Sequence, residues 1–230
     1  MPIATAKRPV GIDRLVRSRR KTIALVVERD GRLTVRAPLG MPEARIREFV
    51  EKHIDWVSKH QKRAQKHAPP PPKQFTDGET FLCLGQIFTL NIVPRQRAAL
   101  AFDGATFRLA TSALPKAKEA FVRWYKKQAL EAFGQRAEFL AKRHGFTYQK
   151  IRVSSARTRW GSCSTKGTLS LTYRMVMAPP EVVDYVIVHE LVHTKIKNHS
   201  KSFWRRVGEI MPEYKVHVRW LRQNGKTLTL

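Results

Sequence analysis

The sequence predicts an α+β protein, an antiparallel sheet accompanied by several helices. Three observations carry this. Short β-prone runs recur in pairs about Asp-Gly or single-Gly turns. Two stretches show long helical periodicity. A third helical stretch is apolar on most sides yet carries His189-Glu190-Leu191-Val192-His193.

In chain order, residues 1–20 are basic and poorly patterned, with Lys7, Arg8, Arg14, Arg17, Arg19 and Arg20. Such a segment predicts a mobile start. Lys21 to Val27 and Arg32 to Arg36 flank Asp30-Gly31, a hairpin signal. Pro42 opens one long helix whose apolar face is Ile46, Phe49, Val50, Ile54 and Val57. Its outer face is basic through Lys59, Lys62, Arg63 and Lys66. His53, His60 and His67 recur on it every seven residues, about 10 Å apart along the axis, too far to share an ion. Pro69 to Pro72 end the helix and stiffen the connection.

Two further strand pairs follow, Phe81–Leu84 with Ile87–Val93 and Leu100–Phe102 with Thr106–Leu109. They are expected to join the first hairpin in one β layer. Pro115 begins a helix from Ala117 to about His144, with Phe121, Trp124, Tyr125, Leu130, Phe133 and Leu140 as core candidates. Gly134 marks close packing within it, and Gly145 stops it. Ile151–Val153 reads as a short strand, and Arg157–Cys163 pairs with Thr168–Met177 around the loop at 164–167. The last elements are helices at Lys201–Ile210 and Tyr214–Gln223, with Trp204 and Trp220 in the core. The domain reading is a β-hairpin, helix and β part at 1–113 and a metal-site domain at 114–230.

Composition bounds the function. The chain has 230 residues, 42% hydrophobic and 27% charged, as in globular proteins. No apolar run reaches membrane-spanning length, and no secretory signal is present. Two separated cysteines, Cys83 and Cys163, argue for a reducing cytoplasm. The formal charge of +26 attracts polyanions without specifying one, so non-specific nucleic-acid binding is one expected partnership.

The chemistry centres on His189 and His193. Four residues apart on a helix, their imidazoles reach one ion from one face. Glu190 lies on the neighbouring edge, placed to hydrogen-bond a metal-bound water as general base. Pro179 and Pro180 suit the first turn, with Glu181 and Asp184 near the helix N-terminus. Asn198 is expected to turn left-handed and swing His199 back as third ligand. Two histidines and a glutamate on a buried helix need a compensating partner, and a metal supplies one. Three imidazoles fit Zn²⁺ and leave a fourth position open. Asp184, Cys163 and His217 remain candidates for a closing fourth ligand.

Arg159-Trp160-Gly161-Ser162-Cys163-Ser164, the His-Glu-x-x-His helix, and Asn198-His199-Ser200 with Phe203-Trp204 together resemble the YgjP-like family of metal-dependent hydrolases. That family is grouped with zincin metallopeptidases and is similar to the SprT and WLM families. The resemblance implies a zincin-like catalytic part, ligands at His189, His193 and His199, and the acid/base at Glu190. Ile196 stands where metzincins have glycine, which argues against that group. Both peptidase and nucleotide-hydrolase activity are ascribed within the family.

The leading expectation is therefore a zinc metallopeptidase acting on protein or peptide. The alternatives are a metal-dependent nucleoside triphosphate pyrophosphatase and a nucleic-acid-binding module with structural zinc. The strand about Arg157–Cys163 is the candidate substrate edge. Arg157 and Arg159 offer charge to an oxyanion or phosphate, and Tyr214 or His217 a second donor.

Overall fold

The computed structural model describes residues 11–28, 30–66 and 71–230, with backbone alone at 65 and 66. The basic segment 1–10, His67, Pro69 and Pro70 lie outside the described residues. The chain forms two compact units that meet in sequence at Pro70 and Pro71.

In the first unit, strands β1 (Arg14–Ser18), β2 (Ala24–Val27) and β3 (Leu33–Pro38) form a sheet in the order β1-β3-β2. The expected hairpin is present: β2 runs antiparallel to β3, and Gly31 takes φ 89° in the turn. Part of the supposedly unpatterned start is a strand, since β1 runs parallel to β3. Its hydrogen bonds come from backbone, to which side-chain patterning is blind. Arg17 adds guanidinium bonds to the carbonyls of Pro38, Leu39 and Met41. Leu33, Val35 and Ala37 alternate inward onto Ile46, Val50 and Val57.

The single long helix expected after Pro42 is two: α1 (Glu43–Lys52) and α2 (Ile54–Lys66). At His53 the backbone leaves helical geometry, and the ring Nδ1 bonds Phe49 O at 2.8 Å. His60 likewise bonds Trp56 O, so these histidines serve their own helices.

The second unit holds the other two sheets. Strands β4 (Thr80–Cys83), β5 (Gln86–Val93), β6 (Leu100–Phe102) and β7 (Thr106–Ala110) are ordered β4-β5-β7-β6. They form their own sheet and do not continue the first hairpin. They also share one core with the next helix, α3 (Ala117–His144): Phe81 stacks on Phe121 at 4.2 Å, and Tyr125 OH donates to Leu82 O. The boundary near 113 read from the sequence therefore differs from the observed division at 70. Strands that bury aromatic side chains on a helix belong with that helix.

Buried positions of α3 include Phe121, Tyr125, Phe133 and Leu140, at helical spacing; Leu130 is exposed instead. A Cβ at Gly134 would meet nothing within 4 Å, so that glycine marks no close packing. Gly145 stops the helix at φ 68°.

Strands β8 (Lys150–Ser154), β9 (Gly161–Cys163) and β10 (Thr168–Thr172) form the third sheet, ordered β8-β10-β9. β9 is shorter than the expected run from Arg157, and residues 173–177 are a 3-10 turn. In each sheet one strand pair is parallel, so the sheets are mixed within an α+β fold. Helices α4 (Pro180–Lys195), α5 (Lys201–Ile210) and α6 (Tyr214–Asn224) complete the unit. Trp204 and Trp220 pack half-buried against its core. Among the described residues, no helix is long and apolar enough to cross a membrane.

Candidate metal centre

Helix α4 is the most apolar helix of the unit. Val182, Val183, Val186, Ile187, Val188, Leu191 and Val192 are all buried. Arg136 on α3 binds Asp184 through two short bonds, 2.8 and 2.6 Å, which fixes the rotation of α4. Thr194 donates to Leu191 O at 2.7 Å, so its hydroxyl is satisfied.

On this helix His189 and His193 face one way, and His199 returns to meet them. His199 Nε2 lies 3.0 Å from His189 Nε2 and 3.2 Å from His193 Nε2. The turn differs from expectation. The helix ends at Lys195, Ile196 is extended (φ −119°, ψ 104°), and Asn198 is not left-handed. Ile196 N–H still reaches Val192 O, while Ile196 O accepts from His193 Nδ1 at 3.0 Å. A β-branched residue in extended backbone thus stops the helix and supplies the acceptor that orients the ring.

Phe203 on α5 underlies all three imidazoles, its ring 4.9, 4.4 and 4.8 Å from those of His189, His193 and His199. Trp204 stacks on His199 at 5.7 Å. These platforms are not legible in the sequence as such. Tyr185 was readable, one turn before His189 on the same face, and its ring lies 6.0 Å from that histidine.

The residues fit a divalent ion. Ligands on a tetrahedral zinc at about 2.0–2.1 Å stand about 3.3–3.4 Å apart, close to the observed Nε2 separations. His193 places its proton on Nδ1, leaving the Nε2 lone pair free. Burial, with repulsion from His193 and His199, holds His189 far below the ordinary imidazole range, at about 3; burial also lowers His193. Neutral imidazoles are the metal-binding form. The Nδ1 of His189 is buried without a hydrogen-bond partner among the described residues.

Among the described residues, no fourth His, Cys, Asp or Glu joins this group. Asp184 is taken by Arg136, and Cys163 Sγ donates to Ser164 O. His217 stacks on Tyr185 at 6.3 Å, away from the Nε2 cluster.

Glu190 is 5% exposed and makes no hydrogen bond among the described residues. Burial pushes its carboxyl up to about 7, opposed by the charge of Arg159. Its carboxylate packs against Gly161 of β9, where a Cβ would lie 2.4 Å from Oε1. Next to it, the Trp160 indole covers Gly225, which follows α6.

Arg159 is exposed and unpaired among the described residues. It lines a polar cavity of about 630 Å³ with Arg152, Ser154, Ser162, Cys163 and Ser170 on the third sheet. Arg157 is exposed and lines no part of that cavity. Tyr214 stacks on Trp204 at 5.5 Å and on Tyr185 at 6.5 Å, and those rings in turn meet His199 and His189.

No curated protein matches this chain. Several solved structures are similar to it. The metallopeptidase zymogen of Pyrococcus abyssi abylysin is 25% identical, covering 43% of this chain and 99% of that one, with a TM-score of 0.38. The metallopeptidase zymogen of Methanocaldococcus jannaschii jannalysin is 22% identical, covering 40% and 88%, with a TM-score of 0.37. A Wss1 mutant from Saccharomyces cerevisiae is 18% identical, covering 48% and 86%, with a TM-score of 0.33. Residues 21–224 match the YgjP-like metallopeptidase domain, and the chain belongs to that family.

Proposed function

We propose that the chain is a zinc-dependent peptidase in which His189, His193 and His199 hold the ion through Nε2 and Glu190 is the general base. The observation that carries this reading is the convergence of three Nε2 atoms at 3.0 and 3.2 Å beside a buried, unpartnered carboxylate. A bound divalent ion would supply a Lewis acid for a carbonyl oxygen and lower the pKa of water toward about 7.

The remaining work falls to the chain's own side chains. Glu190, free of internal hydrogen bonds, accepts a proton from the attacking water and delivers it to the leaving amine. β9 is the edge strand of its sheet, so an extended peptide can add to its unpaired side through backbone bonds. Gly161 lies on that strand against Glu190, which sets the added peptide beside the base. Arg159 offers positive charge to the developing oxyanion, and Tyr214, whose hydroxyl is unpartnered among the described residues, offers a second donor.

The test is zinc stoichiometry together with cleavage of a denatured protein. Glu190→Gln is expected to abolish turnover and keep the ion, and alanine at any of the three histidines to lose it. Full zinc retention in all three alanine variants would falsify the ligand assignment.

A second reading, nucleoside triphosphate pyrophosphatase, is favoured by one feature, the cavity lined by Arg152, Arg159 and the four serines Ser154, Ser162, Ser164 and Ser170. Parallel assays on nucleoside triphosphates separate the two. Pyrophosphate release that Glu190→Gln abolishes, with no peptide cleaved, would move the assignment there.

A further inference from the structure

Helix α6 forms one wall of two cavities beside the candidate metal centre. The first, about 330 Å³, has apolar walls from Trp160, Tyr185, Val186, Val218 and Leu221, and His189 and Glu190 also line it. The second, about 370 Å³, is lined by Trp204, Tyr214, Lys215 and Arg219. Val218 and Arg222, one turn apart, line both, so the two spaces run together along the helix.

The charge along this cleft is one-sided. Lys215, Arg219 and Arg222 follow at spacings of four and three, which places them on one helix face. All three are exposed, and none makes an ion pair or hydrogen bond among the described residues. Elsewhere nearby the chain does neutralise its cations: Arg205 and Arg206 on α5 both pair with Glu209. Among the described residues, Glu190 is the only acid lining either cavity. A face with three uncompensated cations beside an apolar recess that opens at the base complements one kind of ligand. That ligand carries a bulky apolar group for the recess and carboxylates for the helix.

We propose that α6 selects the substrate: peptide segments in which a large apolar residue is flanked by Asp or Glu, the apolar side chain entering the recess between Trp160, Tyr185 and Val218, and the carboxylates pairing with Lys215, Arg219 and Arg222. This rests on the peptidase reading above and names the substrate class of the same site. Each exposed pair contributes a factor of about 1.4 to 5, so the three together give roughly a tenfold preference. Screening removes most of it near 1 M salt, where the Debye length is about 3 Å.

The experiment uses the full chain, zinc-loaded, and two synthetic peptides with the same central phenylalanine, one flanked by aspartates and one by lysines. Cleavage is expected to favour the acidic peptide roughly tenfold in kcat/KM. Binding is measured separately by fluorescence anisotropy on Glu190→Gln, which does not depend on turnover. In both measurements Arg219→Glu with Arg222→Glu is expected to reverse the preference. That pair lowers the formal charge only from +26 to +22, two units per reversal, so general attraction of acids to a basic protein does not account for a reversal. Val218→Phe, which fills the shared wall, is expected to weaken the phenylalanine peptide and spare its alanine counterpart.

Cleavage of both peptides with equal efficiency overturns the proposal and leaves the peptidase reading standing. Charge-selective binding that the double variant reverses, without cleavage of either peptide, keeps the binding surface and removes the peptidase reading. An acidic preference that survives the double variant places selection away from α6 and overturns the proposal. So does a single-stranded oligonucleotide that displaces the acidic peptide and alone loses affinity in the double variant.

Discussion

Gly161 leaves the space that the Glu190 side chain fills, and a Cβ at 161 would collide with it. A Cβ at 161 would lie 2.4 Å from Glu190 Oε1, 2.8 Å from Cγ and 2.9 Å from Cδ. Glycine here brings an edge strand within van der Waals contact of the candidate base. Gly161→Ala is expected to displace the carboxylate or β9 by a few tenths of an ångström or more. Displacement by about 1 Å costs on the order of 100-fold in turnover. Zinc content should be unchanged, because the atoms nearest a Cβ at 161 belong to Glu190 and not to the histidines. Equal activity in Gly161→Ala and wild type would show that Glu190 needs no such contact.

The contact between Gly161 and Glu190 also marks what the sequence conveys and what it withholds. His189, Glu190 and His193 were legible because one helix turn sets their geometry, a local matter. His199 meets His189 and His193, but not by the expected turn: Ile196 in extended backbone, not Asn198, redirects the chain. Gly161 is joined to Glu190 only through tertiary packing, and no periodicity reports that. The same holds for Phe203 beneath the imidazoles. In the fold, antiparallel neighbours joined by tight turns were readable, whereas the parallel partners β1 with β3, β5 with β7 and β8 with β10 were not. Parallel pairing needs a distant return of the chain, which leaves no mark in a short window. The break at His53 leaves no mark in the pattern, because Ile46, Val50 and Val57 keep one apolar face through it.

Asp184 provides a test of the metal assignment against its strongest acidic competitor. Its carboxylate is bound twice by Arg136 and its side chain is 16% exposed. Asp184→Asn should lower stability by about 1.5–3 kcal/mol, the range for hydrogen bonds to charged groups. Zinc stoichiometry should stay at the wild-type value. Chemical denaturation and metal analysis on one preparation check both. Loss of zinc in a folded Asp184→Asn protein would make that carboxylate a ligand and close the site.

The two cysteines should differ in reactivity. Burial in the core pushes the thiol of Cys83, at the end of β4, up to about 11. Cys163 is half-buried on β9, and burial raises its thiol too, opposed by Lys197. Only thiolate reacts, so labelling of each rises with pH and is slow below its own pKa. At pH 8 a thiol with a pKa of about 11 is roughly 0.1% ionised. Native protein is expected to titrate one thiol, at Cys163, and denatured protein two. Rapid labelling of Cys83 at pH 8 would contradict the packing of β4 against α3.

The last prediction concerns the basic surface of α2. Lys59, Lys62 and Arg63 are exposed on this helix. Its apolar side is anchored by Val57, which is fully buried, so the cations are held outward by the same packing that forms the unit. If this face meets nucleic acid, each neutralised phosphate releases counterions, and the slope of log K against log salt is about −0.9 per contact on duplex DNA. Neutralising Lys59, Lys62, Arg63 and Lys66 should therefore flatten the slope by up to about 3.6 and leave zinc content unchanged. Binding should be indifferent to base sequence, since phosphate contacts carry no sequence information. A salt titration of wild type and the four-site variant decides the matter. Identical slopes would move any nucleic-acid contact off α2. The polar cavity with Arg152 and Arg159 is then the next surface to neutralise, because its two guanidiniums also lack partners among the described residues.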